Sequence, residues 1–138
     1  MPVNYLNIEI DKLTRSIENA VTGDSFATEV LYFTKNEAKQ VTKKNGWNFA
    51  WREELGESDR EVYKLTIANN PNVIQGLMSL RIEEDHIYMP LIESAPFNKG
   101  KSKMYLGVPG NLIAYACRLA FQKGFGWLYF ISFENKVN

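Results

Sequence analysis

The sequence predicts a mixed α/β (α+β) chain: a mostly antiparallel sheet flanked by helices, with one parallel strand pair. Three observations predict it. Strand-like runs follow one another over residues 61–68, 73–82 and 86–93, separated by turn signatures. A run of helical spacing then covers residues 109–123 and meets Gly124. The last run, 127–133 (WLYFISF), is apolar on both faces and reads as an internal strand. A strand–helix–strand crossover favours a parallel pair with a right-handed connection. It sets 86–93 beside 127–133.

The chain has 138 residues, a length that fits one domain spanning 1–138. Such a domain buries roughly 68% of its unfolded surface. Apolar residues make up 45% and aromatic residues 13%, enough material for a core. Sixteen Lys and Arg balance sixteen Asp and Glu, so no global charge points to nucleic acid or an anionic membrane. Cys117 is the one cysteine, which excludes an intrachain disulfide and a cysteine metal cluster. The start, MPVNYLNIEIDKL, has no basic segment followed by a long apolar one. No apolar run reaches the ~20 residues of a membrane span. The reducing cytoplasm is the expected compartment.

The elements read in order as follows. Residues 11–21 predict a short helix: Asp11 caps it, Leu13, Ile17 and Ala20 share a face, and Thr22-Gly23 stops it. Residues 26–33 predict a strand. Thr34 and Glu37 form a capping box, opening a helix expected to run to Lys44 and stop at Asn45-Gly46. The alternation of Trp47, Phe49 and Trp51 predicts a strand over 47–52, followed by a charged loop. Residues 61–68 form a strand and Asn69-Asn70-Pro71-Asn72 a turn. Residues 73–82 and 86–93 form a hairpin around Glu83-Glu84-Asp85. Residues 94–106 read as a loop.

The stretch Met104–Leu112 carries the most chemistry. Gly107, Val108, Pro109, Gly110 and Asn111 open the 109–123 helix. A glycine-rich helix start aims backbone N–H groups and the positive helix end at one point, which suits a phosphate. Pro109 supplies no N–H. It also pre-sets the helical φ at a favoured position, so the same residues suit a plain helix start.

From these residues onward the chain resembles the GNAT superfamily of N-acetyltransferases. That superfamily's phosphate turn reads Q/R-x-x-G-x-G/A. Here Met104 takes the Q/R position, Gly107 the first glycine, Pro109 the Gly/Ala position, and Gly110 follows one residue late. A wider likeness, to GNAT-like proteins of Bacteroidetes type, covers nearly the whole chain. It rests on LTRSIENAVTGDSFATEV, GWNFAW, VYKL, IQGL, LIESAPFNKGKSKMYLGV and LIAYACRLAFQKGF. It implies a glycine at position 109 and a C-terminal helix, tyrosine and further strands beyond Asn138, the tyrosine protonating the leaving thiolate. The resemblance implies a fold in which strands 86–93 and 127–133 splay apart and admit the pantetheine arm of coenzyme A.

It further implies acetyl-CoA as co-substrate, no metal, and direct transfer of the acetyl group to a small-molecule or peptide amine. Backbone groups of Leu91 and Ile92 would meet the acyl end. Lys103, Gly107, Val108, Gly110 and Asn111 would meet the diphosphate, with Lys99 and Lys101 nearby. Glu93 is the candidate general base, because amine attack needs the ammonium deprotonated; a charge that ends a strand is the plainer reading. Pro90 suits a bulge that bends a sheet open, or a strand edge. His86 reads as a surface residue and Cys117 as a small core residue. Trp47, Phe49 and Trp51 read as core or pocket wall. The rival function is a CoA-binding or assembly module without catalysis, in which an open edge at 127–133 pairs with a second copy in a homodimer.

Overall fold

A computed structural model describes residues 15–125 and 131–133. Among the described residues seven strands form one sheet: β1 (Ser16–Asn19), β2 (Ser25–Tyr32), β3 (Glu61–Ile67), β4 (Gly76–Ile82), β5 (Ile87–Ser94), β6 (Tyr105–Leu106) and β7 (Ile131–Phe133). Their spatial order is β6-β1-β2-β3-β4-β5-β7. All neighbours are antiparallel except β5 and β7, which run parallel. Among the described residues three α-helices accompany them: α1 (Lys35–Ala38), α2 (Trp51–Leu55) and α3 (Val108–Gln122). None of the described helices is long and apolar enough to cross a membrane.

The sheet separates two apolar layers. On one face, Leu112, Ala116, Cys117 and Ala120 of α3 pack on Tyr63, Leu65, Met78, Leu80, Ile87, Met89 and Ile92. The small residues of α3 let the helix lie close to the strands. Gly76 does the same from the sheet side. A Cβ there would stand 2.6 Å from Val108 Cγ1 and 3.2 Å from Leu112 Cδ1. On the other face, Phe33, Ala38, Val41, Trp47 and Trp51 cover Val62, Leu77 and Ala95.

Ile87, Met89 and Ile92 share one face although 89 and 92 are three apart. The pairing explains it. Ser79 faces Leu91 and Arg81 faces Tyr88, so β5 carries one residue more than β4 between those pairs. Met89-Pro90 forms this bulge, as a residue without an N–H favours.

The crossover is as predicted: Ile87, Tyr88 and Met89 pair in parallel with Ile131, Ser132 and Phe133. The expected splay falls on the partners of residues beyond Pro90, which lie outside the described residues, as do 126–130 and 134–138. The Asp11 cap of the predicted first helix and Leu13 lie outside them too.

Four expectations are corrected. Residues 16–19 are a strand, β1, and not part of a helix. Ile17 is buried while Glu18 is exposed, a period of two, and β1 pairs with β2. The Asn19 side chain accepts from the N–H of Val21 and Thr22 and closes a tight turn to Gly23, at φ +78°. Second, the Thr34–Glu37 capping box forms, but α1 stops at Ala38. Thr42 caps a separate 3-10 turn over Lys43–Asn45, which ends at Gly46 with φ +99°. Third, 47–52 is no strand. Trp47–Ala50 is irregular and α2 begins at Trp51, because a side chain takes the amides a sheet neighbour would take. Fourth, 94–106 is not a plain loop. It holds a 3-10 turn (Pro96–Asn98) and β6, which pairs with β1.

Candidate functional site

The start of α3 is built by the 94–106 segment, and one buried amide organises that segment. Asn98 donates to the Gln75 carbonyl (3.0 Å) and to Gln75 Oε1 (2.9 Å), and its own Oδ1 accepts from Tyr105 N–H (3.0 Å). Gln75 and Asn98 are both buried. Ala95 N–H reaches the Gln75 carbonyl at 2.9 Å, and Met104 N–H the Phe97 carbonyl at 2.9 Å. The chain between those anchors is folded back on the end of β5, directly before α3.

Gly107 caps α3 in the left-handed region, φ +93°, which a side chain would strain. Val108 and Pro109 are the first helical residues, and Asn111 N–H makes the first helical bond, to the Gly107 carbonyl (3.0 Å). The amides of Val108 and Gly110 precede that bond and have no partner within the helix. A cavity of about 340 Å³ opens at this point. Its wall brings together Lys99, Lys103, Gly107, Val108 and Pro109, with Ser94 at the end of β5. Lys101 is not part of that wall.

Of the residues expected at a diphosphate, Lys103, Gly107 and Val108 therefore converge on one cavity. Gly110 lies behind them in the first turn. The Asn111 side chain does other work. Its Nδ2 donates to the carbonyls of Ser16 (2.7 Å) and Gly107 (2.8 Å), and its Oδ1 accepts from Thr28 Oγ1 (3.0 Å). It staples α3 to β1 and β2. Met104, at the Q/R position of the expected turn, is 49% exposed.

Leu91 and Ile92 follow the bulge. They pair with Ser79 and Met78 on the β4 side, and among the described residues nothing pairs with them on the other edge. The Ile92 side chain is buried in the α3 layer, and Leu91 packs beside Phe49 on the opposite face.

Glu93 is completely buried. Its Oε2 accepts from Asn48 N–H (2.7 Å), and its Oε1 from Phe49 N–H (3.2 Å) and Trp51 Nε1 (2.7 Å). Lys99 Nζ completes the set on Oε2. Four donors thus hold one carboxylate, which explains how a charge sits in the interior. The arrangement ties 47–51 to β5, and through Lys99 it ties both to the cavity at α3. The first link is not visible in the sequence spacing, since Asn48, Phe49 and Trp51 lie 42–45 residues away from Glu93 along the chain.

His86 has a partner beside it: its Nδ1 lies 2.7 Å from Asp85 Oδ1. That hydrogen bond is the main reason the Asp85 carboxyl sits below its ordinary range. Cys117 is buried and free, and burial pushes its thiol up to about 11. A thiol so placed is no nucleophile at neutral pH. Among the described residues no group of His, Cys, Asp and Glu is arranged to hold a metal ion.

Solved structures include a match to this arrangement. An aminoglycoside acetyltransferase from an uncultured soil metagenomic sample, in complex with trehalose, superposes with a TM-score of 0.51. Identity is 11%, over 79% of this chain and 78% of that one. The fold is GNAT-like. It resembles that of an acetyltransferase, and the match speaks for the fold alone. No family model matches the sequence, and no curated protein matches it. The narrower likeness to Bacteroidetes-type proteins rests on the sequence segments alone.

Proposed function

We propose that the chain binds acetyl-CoA and transfers the acetyl group to the amine of a small molecule or peptide. The observation that carries this reading is the cavity at the start of α3. Open backbone amides, the positive end of a 15-residue helix and the Lys103 ammonium meet there, at the end of the β5–α3–β7 crossover. The GNAT-like fold supports it.

Acetyl-CoA supplies the acetyl group as an activated thioester. The Val108 amide and Lys103 hold the diphosphate. Lys99 lines the same cavity, but its charge is already partnered by Glu93, so Lys103 is the main electrostatic contact. The β5 backbone past the bulge, at Leu91 and Ile92, orients the thioester carbonyl. Glu93 is the carboxylate nearest in sequence to the acyl end of this arrangement. A base must reach the proton it removes. With four donors on it and no exposed surface, Glu93 fits better as the residue that positions Phe49, Trp51 and Lys99, while the amine releases its proton to solvent.

Calorimetric titration with coenzyme A tests the reading. Binding with Kd at or below the millimolar range is expected, and Lys103→Gln weakens it about tenfold, or about 1.4 kcal/mol. No heat at millimolar coenzyme A overturns it. Thiol release is then followed across amines that include aminoglycosides. Binding without release with any acceptor would favour a CoA-binding module over an enzyme.

A further inference from the structure

A second cavity, of about 570 Å³, runs alongside α3 and shares no lining residue with the first. Its helix wall is one stripe, from Asn111 through Tyr115, Arg118 and Leu119 to Gln122. Its strand wall comes from β2, at Thr28 to Leu31. Arg15 closes it from the segment entering β1, held there by the bond from Thr28 N–H to the Arg15 carbonyl (2.9 Å).

Two guanidinium groups from distant parts of the chain thus share one cavity. Neither makes an ion pair with a described residue. Glu29 is the one carboxylate on the lining, and it is bonded to neither arginine. Charge along the wall is therefore net positive, two against one. The two arginines sense each other: burial first, then the Arg15 charge, lowers the Arg118 guanidinium from its ordinary range. Two like charges on one wall, one of them half-buried, repel each other unless an anion answers them. The rest of the wall is suited to a ligand body. Tyr115 and Leu119 present apolar surface, and the Gln122 amide offers hydrogen bonds.

We infer that this trough between α3 and β2 binds a phosphate-type oxyanion on a small molecule, gripped by Arg15 and Arg118. Guanidinium forks match such an anion in a bidentate way that a lysine does not. The site is independent of the acyl-donor reading, since the cavity at the helix start has a separate lining and uses Lys103.

Nitrogen–proton spectra of the arginine side chains test the inference on the full chain. Inorganic pyrophosphate and adenosine monophosphate are titrated at matched ionic strength, with chloride as reference. The Nε–H signals of Arg15 and Arg118 are expected to shift and saturate with at least one probe. Saturation with both points to the oxyanion alone, and saturation with the nucleotide only points to a phosphate carried on a flat body. Arg118→Gln weakens binding at least tenfold, and Lys103→Gln leaves it unchanged. Should Arg118→Gln lose its folded amide spectrum, Arg15→Gln, at an exposed position, is expected to show the same loss of affinity. Shifts that never saturate, affinity untouched by both arginine variants, or affinity lost in Lys103→Gln instead would overturn the assignment.

Discussion

At the scale of single residues, Glu93 carries the heaviest demand. A buried carboxylate with four donors is stable only while all of them are present. Glu93→Gln replaces an acceptor-only group by one with two N–H donors, which must face Asn48, Phe49, Trp51 or Lys99. It also leaves the Lys99 ammonium without its counter-charge. The expected cost is about 3–5 kcal/mol, read as a lower denaturant midpoint with unchanged slope. The tryptophan emission of Trp47 and Trp51 should report a loosened 47–51 segment. An unchanged midpoint together with a collapsed turnover rate would return the base role to Glu93. The glycine turn and Lys103 were legible in the sequence because helix-start chemistry is local. The anchoring of Glu93, and the stapling by Asn111 and Asn98, were not. Each depends on partners brought together by pairing across the sheet, and no spacing rule encodes that.

At the scale of elements, the later half of the chain read well and the first half less so. β3, β4 and β5 are each a continuous apolar or alternating run buried by its neighbours, so local pattern and tertiary demand agree. Before residue 61 they diverge. Ile17 and Ala20 sit at helical spacing, yet one paired strand and an Asn19 turn decide the outcome. Trp47 to Trp51 alternates as a strand does, yet the Glu93 carboxylate replaces the missing ladder partner. All three aromatics still end in the apolar layer, so the core reading survived the loss of the strand. Helix α3 leaves no room for a side chain at Gly76. Gly76→Ala puts a Cβ well inside contact distance of Val108, whose branched side chain is locked at the buried helix start. We expect a loss of about 1–3 kcal/mol, the range for overpacking. The α3 start should shift with it, weakening coenzyme A binding more than a distant variant of equal instability does. Full stability with Ala at position 76 would show that α3 is not seated as described.

At the scale of the whole molecule, the α3 layer makes folding sensitive to alkali. Two ionisable groups are neutral inside it. Cys117 sits between α3 and the sheet, with its thiol raised from 9.0 to about 11 by burial. Tyr63 stacks on Tyr32 at 5.0 Å and meets Tyr115 at 5.3 Å. Its hydroxyl donates to Glu61 Oε1 at 3.2 Å. Burial, and then the bond with Tyr32 and the Glu61 charge, push its phenol far above 10.0. For both groups the folded state holds its proton more tightly than the unfolded chain does. Their contribution is therefore complete below about pH 9 and is lost as pH climbs toward and past 11. Urea midpoints measured from pH 8 to pH 11 should fall steadily above pH 9. Cys117→Ala keeps a small apolar group in the layer and removes one of the two titrations, so the decline between 9 and 11 becomes shallower. The remainder belongs to Tyr63 and to Tyr115, whose phenol burial also raises, and Tyr63→Phe in the same background should flatten it further, since phenylalanine fills the same ring space without a proton to lose. A midpoint indifferent to pH over this range, or a slope that both variants leave intact, would mean that neither group is sealed between helix and sheet.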